Sequence, residues 1–280
     1  MYLTINGCEL YVEVSGPQSG TAIVTLHGGG GMGDSRSKRI GYGPLDDEYR
    51  VISFDQRGCG RSADAGITDF DTWTADIEAL CDHLDCGRVV IAGGSSGGYV
   101  ALEFALRYPD RVAALILRGT GAHRAETDVL REKALSSGLP LDWERFDRYW
   151  NGECLDNEDM AQAFWEVMPL YSGDGKWDPV SARKKWEDIY WHYQTNNYVI
   201  NHVFPGWDLR SRIGEIEVPT LIIHGEHDWV IPVEHAHELN NGIPSSQLEV
   251  FAGCGHGPHL EETEKFVRTV REFLAEHVIA

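Results

Sequence analysis

Two adjacent serines lie in a glycine-rich segment that could supply a nucleophile. Residues 89–102, VVIAGGSSGGYVAL, run from an apolar, strand-like stretch through the glycines into a helix-like stretch. A serine on such a turn presents its hydroxyl to a substrate carbonyl, and the pattern G-x-S-x-G can be centred on Ser95 or on Ser96. The residues two and three places on must be small, and both are glycine after Ser95, whereas Tyr99 would hold one place after Ser96. We therefore predict that Ser95 is the nucleophile.

A serine hydroxyl needs an imidazole to take its proton and a carboxylate to orient that imidazole. When the serine lies on a strand-to-helix turn, the acid and then the histidine follow it along the chain. Asp228 comes just after the apolar run 220–224 and is the predicted acid. Glu226 is the alternative, but its position directly after a turn glycine favours a solvated loop residue.

The predicted general base is His256. It follows the last strand-like run in the segment Gly-Cys-Gly-His, so a flexible loop can carry it towards Ser95. His259 is close in sequence but lies at the threshold of the final predicted helix. We interpret it as an exposed residue or a residue at the rim of a pocket.

The glycine-rich loop at residues 28–33 fits two hypotheses. It matches G-x-G-x-x-G after a strand, with Asp55 at the end of the next strand, which is a dinucleotide-binding pattern. That pattern needs a helix that starts within the loop. The following residues include Gly41, Gly43 and Pro44 and show no apolar period, so we predict no helix there.

The other hypothesis, which we favour, is that this loop stabilises a developing negative charge. In the segment His27-Gly28-Gly29-Gly30, backbone N–H groups can approach a reacting carbonyl closely because glycine has no side chain. The N–H groups of Gly29 and Ser96 are the predicted oxyanion-hole donors.

A metal site is the competing hypothesis for the histidines and acids near the C-terminus. His235 and His237 are two residues apart on a probable helix, so they point to different faces, and no H-E-x-x-H motif is present. We predict catalysis without a metal and without any other cofactor.

The elements that must position these residues alternate between strands and helices. Apolar runs predict strands at 22–26, 51–54, 89–92, 115–117, 220–224 and 248–251, and amphipathic patterns predict helices at 73–84, 99–108 and 263–277. The alternation predicts an α/β fold with a mostly parallel central sheet flanked by helices. We predict a core domain of residues 1–121 and 208–280.

Residues 122–207 differ in character and predict an inserted helical cap. Strand-like runs are absent, and seven tryptophans lie in polar, helix-prone sequence, namely Trp143, Trp150, Trp165, Trp177, Trp186, Trp191 and Trp207. These aromatic residues can pack the interior of a small helical subdomain, and they can also cover a pocket.

Composition excludes several classes of partner. The 280 residues carry a formal net charge of −20, which opposes binding to nucleic acid and to anionic membranes. No apolar run approaches the roughly 20 residues that cross a bilayer, and the N-terminus lacks a signal-peptide pattern. The six scattered cysteines fit free thiols in a reducing compartment. We expect a cytoplasmic protein, and its oligomeric state is left open.

With these residues placed, the chain resembles the α/β-hydrolase superfamily over nearly its whole length. The sharpest match is the string FDQRGCGRS at residues 54–62, which is similar to the proline iminopeptidase branch. We interpret this string as a glycine-rich turn held by charged side chains. The resemblance implies a cytoplasmic enzyme that releases an N-terminal residue, often proline, from short peptides through an acyl-enzyme. It also implies a cap that screens substrate size, no cofactor, and oxyanion-hole positions at Gly29 and Ser96.

Two departures from that branch bear on the substrate. Gly30 stands where the loop usually has proline, and Asn196-Asn197-Tyr198 aligns with a cap motif N-E-F whose glutamate binds the substrate's free amine. Asn197 and Tyr198 are therefore candidate substrate-binding residues. Amine recognition must fall to another cap acid, of which the candidates are Glu153, Glu166 and Glu187, or else the substrate has no free amine.

Three functions follow from the sequence. The first is an aminopeptidase of the proline iminopeptidase type acting on short peptides. The second is a carboxylesterase or lactonase acting on small acyl substrates. The third is a binding protein on the same fold without catalysis, against which the complete set of Ser95, Asp228 and His256 argues.

Overall fold

The chain folds around one eight-stranded sheet. A computed structural model describes residues 1–64, 66, 68–186 and 188–278, with only the backbone described at 185 and 186. The strands, in chain order, are β1 (Tyr2–Ile5), β2 (Cys8–Ser15), β3 (Ala22–Leu26), β4 (Arg50–Phe54), β5 (Val89–Gly94), β6 (Val112–Arg118), β7 (Thr220–Gly225) and β8 (Ser246–Phe251).

The strand order across the sheet is β1-β2-β4-β3-β5-β6-β7-β8. β1 and β2 form an antiparallel hairpin, and β2 is antiparallel to β4, whereas all pairs from β4 to β8 are parallel. Leu26 of β3 pairs with Gly93 of β5, so the loops that follow these two strands meet at one edge of the sheet. The predicted mostly parallel α/β fold is confirmed.

Helices cover both faces of the sheet. In chain order they are α1 (Arg36–Tyr42), α2 (Phe70–His83), α3 (Ser96–Arg107), α4 (Thr127–Ser136), α5 (Trp143–Asn151), α6 (Asn157–Val167), α7 (Pro179–Trp186), α8 (Tyr193–Tyr198), α9 (Glu234–Gly242), α10 (Pro258–Glu261) and α11 (Thr263–His277). Because strand side chains alternate, Val24 joins the buried cluster that α2, α3 and α9 cover, and Ile23 joins the one that α1 and α11 cover. Within the described part of the chain, no helix is long and apolar enough to span a bilayer.

Helix α1 corrects one prediction. The sequence after the glycine-rich loop predicts no helix, yet α1 begins at Arg36 and ends at Tyr42, with Gly41 inside it. Tertiary packing explains the difference. A Cβ at Gly41 would lie 2.9 Å from the Phe266 ring, so the small residue lets α1 approach α11 closely. Lys38 and Tyr42 are buried on the same helix.

Helices α4 to α8 lie between β6 and β7 and cover the carboxyl end of the sheet. The departing and returning chain segments pair, since the N–H of Leu209 donates to the carbonyl of Ala122 at 2.7 Å and residues 123 and 208 form an isolated bridge. Part of this region packs on the main core through Leu130 and Phe146, and part forms its own cluster around Phe164. Trp143 and Trp207 pack against the main core, Trp165, Trp177 and Trp191 pack against the second cluster, and Trp150 packs against both.

Candidate active site

Ser95 lies on the sharp turn between β5 and α3. Its backbone has φ 56° and ψ −133°, a conformation that L-residues adopt rarely and that carries strain. The turn is anchored on both sides: the Ser95 N–H donates to the carbonyl of Arg118 at 3.0 Å, and its carbonyl accepts from the Thr120 hydroxyl at 2.9 Å and the Gly98 N–H at 2.8 Å. The strained serine is therefore held in place by β6 and by the first turn of α3.

The glycines after Ser95 are required by close packing. A Cβ at Gly97 would lie 2.5 Å from the carbonyl oxygens of Leu26 and His27, and one at Gly98 would collide with the side chain of Thr120. The crowding that favours Ser95 over Ser96 in the sequence is thus present in the structure. Ser96 is the first residue of α3, so its N–H has no partner within the helix.

Asp228 and His256 are hydrogen-bonded at the end of the sheet. Asp228 follows β7 and is buried, and its Oδ2 accepts from His256 Nδ1 at 2.7 Å. Its Oδ1 accepts the backbone N–H groups of Val230 and Ile231 at 3.0 and 2.9 Å. Burial acts to raise the pKa of the Asp228 carboxyl, but the facing His256 and His224 rings and the Ile231 N–H outweigh it and hold that pKa below its usual range. Asp228 is therefore an anion that fixes the proton of His256 on Nδ1.

The loop that carries His256 is held from two sides. Its N–H donates to the carbonyl of Tyr171 in the cap at 2.9 Å, and its carbonyl accepts from Arg118 Nη1 at 2.6 Å. The Tyr171 ring also contacts the imidazole edge-on, with centroids 5.4 Å apart. Ser95 and His256 line the same cavity, although their hydroxyl and ring are not hydrogen-bonded to each other in the structure. Such a hydrogen bond is often long in a free enzyme and shortens when substrate binds.

The glycine-rich loop packs directly against the turn that carries Ser95. A Cβ at Gly28 would lie 2.6 Å from the Ser95 Cβ, so only glycine permits this approach. The N–H of Gly29 donates to the Ser96 hydroxyl at 2.8 Å and therefore lies beside the turn. The loop is anchored through His27, whose Nε2 accepts from the Gln56 N–H at 3.0 Å and whose carbonyl accepts from the Gln56 side chain at 2.7 Å.

The FDQRGCGRS string forms the turn that supports this loop. Its Arg61 binds Asp55 through Nε at 2.7 Å and Nη2 at 3.0 Å, and its Arg57 binds the buried Asp76 of α2 through two contacts of 2.8 Å. The Asp55 carboxylate is thus occupied by Arg61 and by the N–H of Ser35. The carboxylate that a dinucleotide pattern would direct to a ribose instead holds a turn together.

Two cavities meet at Ser95. The larger, of about 480 Å³, is also lined by His256, Lys38 and Arg118, together with cap residues such as Trp177. The smaller, of about 100 Å³, is mostly apolar and aromatic, and its walls include Tyr99, Trp150, Leu130, Phe204 and Val230. A substrate bound across Ser95 would therefore meet a polar wall on one side and an apolar wall on the other.

Comparison with known proteins identifies the family. The family model described as alpha/beta hydrolase fold matches residues 21–263. The chain belongs to the alpha/beta hydrolase fold family. It is 31% identical to the proline iminopeptidase of Neisseria gonorrhoeae over 95% of this chain and 93% of that protein. It is 28% identical to proline iminopeptidase PfmaB of Pestalotiopsis fici over 98% of both chains. The esterase EaEST from Exiguobacterium antarcticum is similar in structure, with a TM-score of 0.78, 28% identity, and coverage of 98% of this chain and 99% of that one. The resemblance drawn from the sequence is confirmed.

The cap residues proposed for substrate binding in this hydrolase, where the structure describes them, are not at either cavity. Both amide atoms of Asn197 bond the backbone of Cys154, and Tyr198 is 38% exposed and contacts His202. Glu166 is paired with Arg145 in a surface groove of the cap. Glu153 is exposed and lines neither cavity, and Glu187 lies outside the described residues.

Glu226 and His259 are the residues that the sequence offered as alternatives to Asp228 and His256. Glu226 is exposed and accepts the Gly253 N–H at 2.9 Å, as a loop residue would. His259 is buried in α10 and forms part of the wall of the larger cavity, so the expectation of an exposed or rim residue was wrong about its burial.

One cluster outside these cavities has the side chains of a metal site. His123, His235 and Glu238 bring three potential ligand atoms within 4.8 Å of one another. The pairing of His235 with His237 considered in the sequence does not form, because His237 is exposed on the other face of α9. Burial, with smaller effects from the neighbouring His123 and His224, lowers the pKa of His235 to about 4, which leaves the ring neutral and able to bind a cation. The six cysteines are buried free thiols.

Sequence reasoning missed three residues at the active site: Lys38, Arg118 and Tyr171. Arg118 had a visible signal, because it ends an otherwise apolar strand beside the strand that carries the nucleophile. A charged residue at the carboxyl end of a buried parallel strand faces the site where ligands bind. Lys38 and Tyr171 had no such signal, since their burial depends on the packing of α1 and of the cap.

Proposed function

We propose that this hydrolase is a serine carboxylesterase that acts through an acyl-enzyme, with Ser95 as nucleophile, His256 as general base and Asp228 as the residue that orients His256. The observation that carries this proposal is the buried contact of 2.7 Å between Asp228 and His256 at the cavity that Ser95 lines. A neutral imidazole protonated on Nδ1 has its Nε2 lone pair free to accept the serine proton.

The reaction follows from these positions. His256 removes the Ser95 proton as Oγ bonds the ester carbonyl carbon, and the carbonyl oxygen becomes an oxyanion near the N–H groups of Gly29 and Ser96. The intermediate collapses, the carbon–oxygen bond to the alcohol breaks, and His256 gives its proton to the leaving alkoxide. Water then adds to the acyl-enzyme by the same route, which releases the carboxylic acid and restores Ser95. The N–H of Gly29 must exchange its present bond to the Ser96 hydroxyl for the oxyanion.

An ester substrate is favoured over a peptide with a free amine by the charges at the cavities. The acids that line the larger cavity in the described residues are already engaged: Asp34 by Arg36, Glu261 by the N–H groups of Gly173 and Gly255, and Asp178 by residues of its own turn. The described walls of the smaller cavity contain no acid. A substrate ammonium would therefore meet only carboxylates that already accept hydrogen bonds, which disfavours its binding.

An aminopeptidase is the second candidate, because relatives at 28% and 31% identity are named proline iminopeptidases. The two activities are separated by comparing p-nitrophenyl butyrate with prolyl and N-acetylprolyl p-nitroanilides. Rapid release of p-nitrophenol from the ester and slow cleavage of both anilides supports the esterase. Cleavage of the prolyl anilide alone would replace it with the aminopeptidase.

The nucleophile is tested by labelling with a fluorophosphonate probe. Ser95→Ala should abolish both labelling and turnover, whereas the matched variant Ser96→Ala should keep labelling because its backbone N–H is unchanged. Persistent labelling of Ser95→Ala would refute the assignment of the nucleophile. An unlabelled and inactive wild-type protein would instead favour a binding protein without catalysis.

A further inference from the structure

Two buried basic side chains lie beside Ser95, and neither forms an ion pair with the described residues. Lys38 of α1 and Arg118 at the end of β6 are 2% and 4% exposed, and both line the cavity that contains Ser95 and His256. A Cβ at Gly94 would collide with Arg118 Nη2 and would lie 2.6 Å from Lys38 Nζ. The two cationic groups therefore flank the residue that directly precedes Ser95.

The side-chain bonds of this pair are incomplete. Arg118 Nη1 donates to the carbonyl of His256, whereas Arg118 Nε is buried without a hydrogen-bond partner. The Lys38 ammonium makes no hydrogen bond or ion pair with the part of the chain that the structure describes. The nearby acids serve other groups, since Asp228 holds His256 and Asp34 holds Arg36.

Such an arrangement is unfavourable when empty. Burial lowers the pKa of Lys38 well below its usual range, and the charge of Arg118 lowers it further. Burial also lowers the pKa of Arg118. Buried cations without partners are costly in a folded protein, and they cluster where a ligand supplies the missing charge.

We propose that Lys38 and Arg118 form an anion-binding subsite, and that the esters this enzyme hydrolyses carry a free carboxylate. The inference rests on the proposed esterase function and adds its substrate class. A carboxylate matches the donors that remain, which are one guanidinium edge and one ammonium.

The position of the subsite sets the length of the substrate. Gly94, which both cationic groups approach, is one Cα–Cα step of roughly 4 Å from Ser95, so the subsite adjoins the nucleophile residue. The carboxylate must then be separated from the scissile carbonyl by a short spacer of about two to four bonds. Half-esters of short dicarboxylic acids meet both requirements.

The experiment compares monomethyl glutarate with methyl 4-carbamoylbutanoate, in which a neutral amide replaces the carboxylate at nearly the same shape. We expect wild type to prefer the acid by at least about 10-fold in kcat/KM, because charge-assisted hydrogen bonds to a buried partner are strong. Lys38→Met should remove most of that preference, because it should lower kcat/KM for the acid far more than for the amide.

Lys176→Met is the matched control. Lys176 lines the same cavity but is paired with Glu262 at 2.9 Å, so its loss should leave the preference for the acid within about twofold. Equal turnover of the acid and the amide by wild type would overturn the proposal. An equal loss in Lys38→Met and Lys176→Met would also overturn it, because the preference would then come from the overall potential of the cavity.

A binding measurement separates this proposal from the function on which it rests. Glutarate should bind Ser95→Ala protein in calorimetry, and adding Lys38→Met should weaken that binding by at least about 10-fold. Binding of glutarate without hydrolysis of any ester would support the subsite and refute the esterase. Hydrolysis of p-nitrophenyl butyrate without binding of glutarate would support the esterase and refute the subsite.

Discussion

Replacing Asp228 by asparagine tests the proposed mechanism at the atom level. The Oδ1 atom of Asp228 accepts two backbone N–H groups, from Val230 and Ile231, and Oδ2 accepts His256 Nδ1 at 2.7 Å. An asparagine of the same shape must direct its oxygen to the two backbone donors. Its NH₂ group then faces His256 Nδ1. Because this NH₂ group is itself a hydrogen-bond donor, it disfavours a proton on Nδ1.

The ring must therefore change its tautomer. With the proton moved to Nε2, the imidazole presents an N–H to the Ser95 hydroxyl and cannot accept its proton. We expect kcat to fall by about 10⁴-fold, equivalent to about 5 kcal/mol of transition-state free energy, with KM changed little. The two backbone hydrogen bonds are retained, so the fold should persist.

The assay is hydrolysis of p-nitrophenyl butyrate at saturating concentration, with near-ultraviolet circular dichroism to confirm folding. Glu226→Gln is the matched control, because Glu226 is exposed and contacts the loop at Gly253 and the exposed His227 but not His256. This variant should keep kcat within about twofold. A folded Asp228→Asn protein with more than a tenth of wild-type kcat would refute the orienting role. A large loss in Glu226→Gln would transfer that role to Glu226.

Two further predictions concern stability. Asp76→Asn removes the counter-charge of Arg57, whose side chain is 5% exposed, and should lower the free energy of unfolding, measured in urea, by about 3–5 kcal/mol. Asp82→Asn, on the exposed side of α2, should lower it by under about 1 kcal/mol. Similar losses in both variants would show that the buried ion pair of Arg57 and Asp76 contributes no more than an exposed one. The pKa of His235 is lowered to about 4, mainly by burial, so between pH 6.5 and 4 the unfolded chain binds a proton that the folded chain does not, and stability falls as the pH falls through this range. His235→Asn should lose less stability than wild type between pH 7.5 and 5. Equal losses in the two proteins would show that His235 is not the group whose protonation lowers the stability.

Most of the sheet could be predicted from the sequence because buried parallel strands are continuous apolar runs. The run 22–26 predicts β3 with the same bounds, and 220–224 predicts β7 to within one residue. The predicted strand 115–117 begins three residues after β6 begins and ends one residue before β6 ends, since Val112 and Arg118 extend the ladder beyond the apolar centre. Strand ends depend on the pairing of neighbours, which a single chain segment does not encode.

Helix α1 could not be predicted from the local sequence pattern. Its seven residues include Gly41, which has low helix propensity, and no amphipathic period is visible. The helix forms because Gly41 brings it against Phe266 of α11, a contact between residues more than two hundred positions apart in sequence. Propensity is a weak prior, and here tertiary packing overrides it.

The positions proposed for Ser95, Asp228 and His256 could be found from sequence because each follows a predicted strand of a parallel sheet. The carboxyl ends of such strands meet at one edge, so residues far apart in sequence converge there. The cap residues have no equivalent rule. Glu166 was selected for its charge, but on α6 it faces Arg145 at the surface, and the orientation of a cap helix is decided by which face is apolar.

The burial of Lys38 likewise could not be predicted from its sequence context. Lysine on a short helix is normally solvated, and its stem can bury while the ammonium reaches water. In this chain Gly41 draws α1 against α11, and Gly94 leaves space beside the nucleophile, so the whole lysine is enclosed next to Arg118. Two glycines thus place two like charges where they repel each other, and a substrate carboxylate is the group that would turn this repulsion into binding.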